Sequence, residues 1–99
     1  MYNSIKLTLY TQEDCGYCKL LKKKLSEWDF DYREINISHD LFAKDFLKEK
    51  GHRTVPQLYS NDTHVNKLPT TELTYEHVCA ELDYENYLGG VESWGAQRA

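Results

Sequence analysis

Three cysteines, an odd number, are too few for the dense disulfide framework of a small secreted protein. No stretch approaches the roughly 18 apolar residues that a membrane span requires. The N-terminus MYNSIKLTLY has no basic region leading into a long apolar run, so an unprocessed chain is expected. Positive charge is not in excess: 12 Lys and Arg against 16 Asp and Glu leave a net charge of -4, which argues against a nucleic-acid surface. Internal repeats and low-complexity tracts are also missing. These absences point to a cytoplasmic protein with neither membrane nor nucleic acid as partner. What is present is enough for one folded module: 99 residues, 40% of them hydrophobic, are expected to form a single domain over 1–99 and a monomer.

Ile5, Leu7 and Leu9 alternate with Lys6, Thr8 and Tyr10, the period of a strand with one buried face, and the polar run Thr11 to Asp14 ends it. Tyr17, Leu20, Leu21, Leu25 and Trp28 then fall on one helical stripe, with Lys19, Lys22, Lys23 and Lys24 largely on the other face. That lysine face would suit an acidic partner or plain solvation alike. Phe30 to Ile37 reads as a second strand, Ser38 as the cap of a helix over Asp40 to Lys50, and Gly51 as its stop. Val55 to Ser60 reads as a third strand, Asn61-Asp62 as a turn, Thr63 to Val65 as a short antiparallel fourth strand, and Thr74 as the cap of a last helix bearing Tyr75, Val78, Cys79 and Leu82. The tail from Tyr84 to Ala99 carries no readable pattern. A strand-helix-strand start followed by a hairpin gives an α/β fold, a mixed four-stranded sheet flanked by helices.

The stretch Glu13-Asp14-Cys15-Gly16-Tyr17-Cys18-Lys19 therefore lies where a strand loop meets a helix. A thiolate is the nucleophile in thiol chemistry, and a helix N-terminus stabilises it through free N–H groups and the helix dipole, so Cys15 is the candidate attacker. Cys18, one turn inward, is the candidate resolving thiol. Glu13 and Asp14 oppose thiolate formation while Lys19 and Lys22 favour it. Two other readings of the pair stand beside this one. Half of a zinc site is the first, although His39, His52, His64, His77 and Cys79 show no paired spacing to complete it. Two inert buried thiols are the second. Cys79 itself reads as a small buried hydrophobe.

The strand followed by CGYC at a helix start, the later Thr54-Val55-Pro56-Gln57 and the hairpin VPQLYSNDTHV resemble the glutaredoxins, thioredoxin-fold oxidoreductases that use glutathione. The likeness runs from about Ile5 to Leu82. It implies a thioredoxin-like fold and glutathione as reductant or co-substrate, with no tightly bound cofactor. It also implies a cis peptide before Pro56, with Val55 pairing its backbone to the glutathione cysteine moiety, Thr54 beside it and Tyr17 lining the groove. Thr71, at a helix start, would hold a carboxylate through its hydroxyl and backbone N–H. Protein disulfides, ribonucleotide reductase among them, and glutathionylated proteins are the implied substrates.

Three positions depart from the family pattern. Gly16 stands where proline is usual, and in some members a small residue there accompanies a glutathione-ligated iron-sulfur cluster. Gln12 replaces a common basic residue that contacts a glutathione carboxylate. Asn66-Lys67 stands where Gly-Gly normally follows the fourth strand, unless Gly89-Gly90 is that motif displaced. The functions in competition are accordingly a glutathione-dependent disulfide reductase, a glutaredoxin-like redoxin reduced by thioredoxin reductase, and an iron-sulfur cluster binding protein.

Overall fold

Alternating burial begins the fold. The computed structural model describes residues 7–89, with side chains as far as Leu82. Its first strand, β1 (Leu7–Thr11), buries Leu7, Leu9 and Thr11 and leaves Thr8 and Tyr10 half-covered. Helix α1 (Gly16–Glu27) carries the chain across to β2 (Arg33–Asn36), which runs parallel to β1 with Leu9 opposite Glu34. Helix α2 (Leu41–Glu49) leads back to β3 (Gln57–Ser60), antiparallel to β1 with Leu9 opposite Leu58. The two-residue β4 (Thr63–His64) pairs antiparallel with β3, and α3 (Tyr75–Gly89) follows. The sheet order is β2-β1-β3-β4, the mixed four-stranded α/β sheet that the sequence implies.

Period 2 along the strands separates two layers. Leu7, Leu9 and Leu58 form one core with Leu21 and Leu25 of α1 and Val78 and Leu82 of α3, all nearly or wholly shielded from solvent. Each such side chain contributes about 1.5–3 kcal/mol through burial. On the opposite face Tyr10, Tyr59 and Phe46 of α2 pack ring against ring at 5.4–6.1 Å between centroids. Among the described residues no helix is long and apolar enough to cross a membrane.

Several boundaries differ from expectation for local physical reasons. The second strand is four residues long and starts at Arg33, because Asp29 turns the chain at φ 67° and sends Phe30 into the core from outside the sheet. Asp40, not Ser38, caps α2, its carboxylate accepting the Ala43 N–H at 3.0 Å. Ser38 instead accepts the Glu13 N–H at 3.2 Å, and so ties this corner to the cysteine loop. Gly51 does end the α2 region with φ 87°, a conformation glycine adopts without a Cβ penalty. Thr74 does cap α3, accepting the His77 N–H at 3.1 Å. Helix α3 extends through residues 84–89 of the segment without readable pattern. The expected strand start at Ile5, the side chains of Tyr84 and Tyr87, and the stretch with Gly90 and Trp94 lie outside the described residues.

Candidate functional site

The C-terminal ends of β1 and β2 open at one edge, where the Ile37 N–H reaches the Thr11 carbonyl at 2.8 Å. Asp14 reverses the chain at φ 56° and delivers Cys15 to the N-cap of α1. Cys15 and Cys18 are disulfide-linked, with Cα atoms 5.2 Å apart. Cys15 is partly exposed and Cys18 is buried, which makes the first sulfur the accessible one. The Cys18 N–H points at Cys15 Sγ at 3.1 Å, an orphan donor of the first helical turn aimed where a thiolate charge would sit. Beside it, Glu13 pairs with His39. Lys22 is not turned toward the sulfur; it bonds Glu34 at 3.2 Å. Glu34 is held below its ordinary range first by the Thr11 hydroxyl and then by Lys22, against the effect of burial.

The Val55–Pro56 peptide is cis, and the Val55 carbonyl oxygen lies 4.0 Å from Cys15 Sγ. Two grooves meet at Thr54 and Val55. The first, of about 530 Å³, is lined by Tyr17, Thr54, Val55, Pro56 and Thr71, so all five residues singled out for glutathione border one space. Tyr17 departs from the buried helical stripe: it is 62% exposed and faces this groove. Thr71 lies in a turn ahead of the Thr74 cap, not at the helix start. The second groove, of about 490 Å³, runs from Gln12 along Lys44, Lys48 and Arg53 with no acidic lining residue. These three cations were not evident as site residues, although Arg53 directly precedes Thr54.

Side chains distant in sequence hold the groove walls. Lys24 turns inward from the lysine-rich face, and its ammonium donates to the carbonyls of Thr70 at 2.6 Å and Leu73 at 3.0 Å. Gln57 donates to the Thr54 carbonyl at 2.9 Å and receives His64 Nε2 at 2.7 Å. Asn66, nearly buried, bonds both the Pro56 carbonyl and the Leu58 N–H. Gly16 is exposed, and a Cβ there would meet nothing within 4 Å, so packing does not demand glycine at that departure. Cys79 is a free thiol, half-buried against the core. Among the described residues no group of three or more His, Cys, Asp or Glu is arranged to hold a metal ion.

His52 and His64 lie with ring centroids 4.6 Å apart, tilted by 50°, beside the first groove. Burial pushes the His52 pKa down, and burial followed by the neighbouring His52 pushes that of His64 down. Depressed imidazoles leave the folded protein undisturbed above the ordinary value of 6.5, where both states are neutral. Below it the unfolded chain takes protons first, so stability falls as pH drops through the folded values. Glu34 acts with the same sign, but only around and below its ordinary 4.5. Melting temperature is therefore expected to hold steady above about pH 7 and to decline toward pH 5.5, with the decline at least halved in a His52→Gln, His64→Gln double variant. An identical decline in both proteins would refute the assignment.

Comparison with known proteins agrees with the geometry. The glutaredoxin family model matches residues 7–65. The glutaredoxin-like protein NrdH of Lactococcus lactis subsp. cremoris is 31% identical over 67 residues, covering 68% of this chain and 93% of that protein. The NrdH-redoxin structure from Escherichia coli, described as having a thioredoxin-like activity profile, superposes with a TM-score of 0.58 at 28% identity, over 61% of this chain and 79% of that one. A buckwheat glutaredoxin in complex with glutathione superposes with a TM-score of 0.54, also at 28% identity, over 65% of this chain and 62% of that one. The fold is thus thioredoxin-like.

Proposed function

We propose, because this chain belongs to the glutaredoxin family and is a thiol–disulfide oxidoreductase, that it reduces protein disulfides and glutathione mixed disulfides with glutathione as the terminal electron donor. The Cys15 thiolate attacks one sulfur of the substrate disulfide; that S–S bond breaks, and the departing sulfur leaves as a thiolate that takes up a proton. The Cys18 thiolate then attacks Cys15 in the mixed disulfide, releasing the second substrate thiol and closing the Cys15–Cys18 ring. Two glutathione molecules return two electrons to the ring and leave as glutathione disulfide.

The observation that carries this reading is the meeting of both grooves at Val55, whose carbonyl lies 4.0 Å from Cys15 Sγ. An extended tripeptide laid along the Val55 edge would have its cysteine at the sulfur, with Tyr17 and Thr71 bordering one arm and Lys44, Lys48 and Arg53 bordering the other. Those cations supply positive charge in the groove where Gln12 stands in place of a basic residue. Ribonucleotide reductase is the downstream protein disulfide we put forward, and a reducing, cytoplasmic setting goes with this chemistry.

A second reading has support of its own. Similarity to the E. coli NrdH-redoxin, with its thioredoxin-like activity profile, together with Asn66-Lys67 in place of Gly-Gly, favours a redoxin recharged by thioredoxin reductase. Following NADPH loss in parallel assays separates the two. With glutathione and glutathione reductase the oxidised protein is expected to turn over at least about tenfold faster than with thioredoxin reductase alone. The opposite ranking would select the second reading.

A further inference from the structure

In an antiparallel ladder every second facing pair exchanges both its N–H···O=C bonds, and the pairs between exchange none. Leu58 and Val65 stand opposite one another when the register Tyr59 to His64 is carried one step further, and the Val65 N–H does reach the Leu58 carbonyl at 2.8 Å. The reciprocal bond is absent: the Val65 carbonyl accepts the Lys67 N–H at 3.0 Å instead. In its place the Asn66 side-chain oxygen accepts the Leu58 N–H at 2.8 Å, while the Asn66 amide nitrogen donates to the Pro56 carbonyl at 3.0 Å. A single carboxamide, 9% exposed, thus holds backbone groups on either side of Gln57. Two glycines at 66 and 67 would have no side chain with which to do this.

We infer that Asn66 is a positioning residue for disulfide exchange: by fixing the backbone from Pro56 to Leu58 it holds the adjoining Val55 edge beside Cys15 for an extended peptide substrate. The inference rests on the proposed use of Val55 as the pairing edge. Asn66 touches neither sulfur; it acts through Pro56 on the neighbouring peptide unit. A buried amide that both donates and accepts rigidifies the segment more than either bond alone, and releasing it leaves a buried N–H and C=O without partners. The thiolate itself, stabilised by the α1 N-terminus, is untouched by this clamp.

The test uses Asn66→Ala and the nearly isosteric Asn66→Asp, which keeps the acceptor but at neutral pH loses the donor. Two substrates are compared: a glutathionylated peptide, which needs the Val55 edge, and the small aromatic disulfide 5,5′-dithiobis(2-nitrobenzoate), which needs only the Cys15 thiolate. In each variant that melts cooperatively, KM for the peptide should rise about tenfold with kcat within about twofold, while the rate with the small disulfide stays within about twofold. The Leu58 amide proton should also exchange at least about tenfold faster in Asn66→Ala. Equal losses on both substrates, or an unchanged peptide KM in a folded variant, would overturn the inference. Wild-type turnover of the glutathionylated peptide reports separately on the glutathione reading. If wild type reduces only a peptide with an internal disulfide, that reading falls, and the same comparison on this peptide decides the role of Asn66.

Discussion

Cys15→Ser should lower disulfide reduction by more than about a thousandfold without unfolding the protein. The loss follows from chemistry: a serine hydroxyl is not ionised near neutral pH, so the N–H of Cys18 at 3.1 Å has no thiolate to stabilise. The intact fold follows from the position. Cys15 is the N-cap of α1, its side chain accepting the Cys18 N–H, and serine is among the preferred residues for that task. A melting curve close to that of reduced wild type, beside an inactive enzyme, is the expected pair of results. Cys18→Ser separates the steps. It should retain reduction of glutathione mixed disulfides, in which a second glutathione attacks the glutathione sulfur of the Cys15 mixed disulfide, forms glutathione disulfide and releases the Cys15 thiolate, and lose most reduction of internal protein disulfides, which need the resolving thiol. Appreciable turnover by Cys15→Ser would remove that sulfur from the mechanism.

The largest effect on stability is expected at Leu58. This side chain is fully buried at the centre of the sheet, opposite Leu9 and in the core shared by α1 and α3. Leu58→Ala removes buried apolar surface and leaves a cavity that the surrounding leucines fill only in part, a loss of about 3 kcal/mol. For a domain of this size the melting temperature should fall by roughly 12–24 °C. Because the bond to Asn66 is made by the Leu58 backbone N–H, which alanine keeps, activity per folded molecule should change little. Phe42→Ala, at a side chain 90% exposed, is the control and should shift stability by less than about 0.5 kcal/mol. A urea titration showing under about 1 kcal/mol for Leu58→Ala would mean that the core repacks far more freely than its leucines suggest.

How much of this could be read from the chain depended on the range of the interaction involved. The Leu7-Leu9 alternation, the placement of Cys15 at a helix start and the Asn61 turn are local signals, and the structure has each of them. The fourth strand and the Thr74 cap were legible for the same reason. Phe30 and Tyr32 misled because aromatic residues suit strands, yet Phe30 enters the core from a turn. Ser38 and Asp40 are both good caps by composition, and only the helix geometry chose Asp40. Tyr17 shares the helical spacing of the core residues but sits where the stripe runs out into the groove. Lys22, Lys24 and Asn66 find partners 12, 46 to 49 and 8 to 10 residues away, and no local pattern encodes those contacts. For Asn66 the sequence offered only a departure from Gly-Gly, a place to look without a reason.

The outer strands of the sheet bear on a different property, the tendency to aggregate. An uncovered strand edge offers unpaired N–H and C=O groups that recruit other chains into fibrils. Here β4 is only two residues long, and its ladder is cut short by the turn at Val65 to Lys67. At the other margin β2 is four residues long and carries Arg33 and Glu34, both exposed. A second molecule approaching either margin meets too few aligned groups or a pair of charges it would have to desolvate. The central strands β1 and β3, which hold the apolar residues most prone to cross-β stacking, are screened from one another's copies by a very short strand on one side and a charged one on the other.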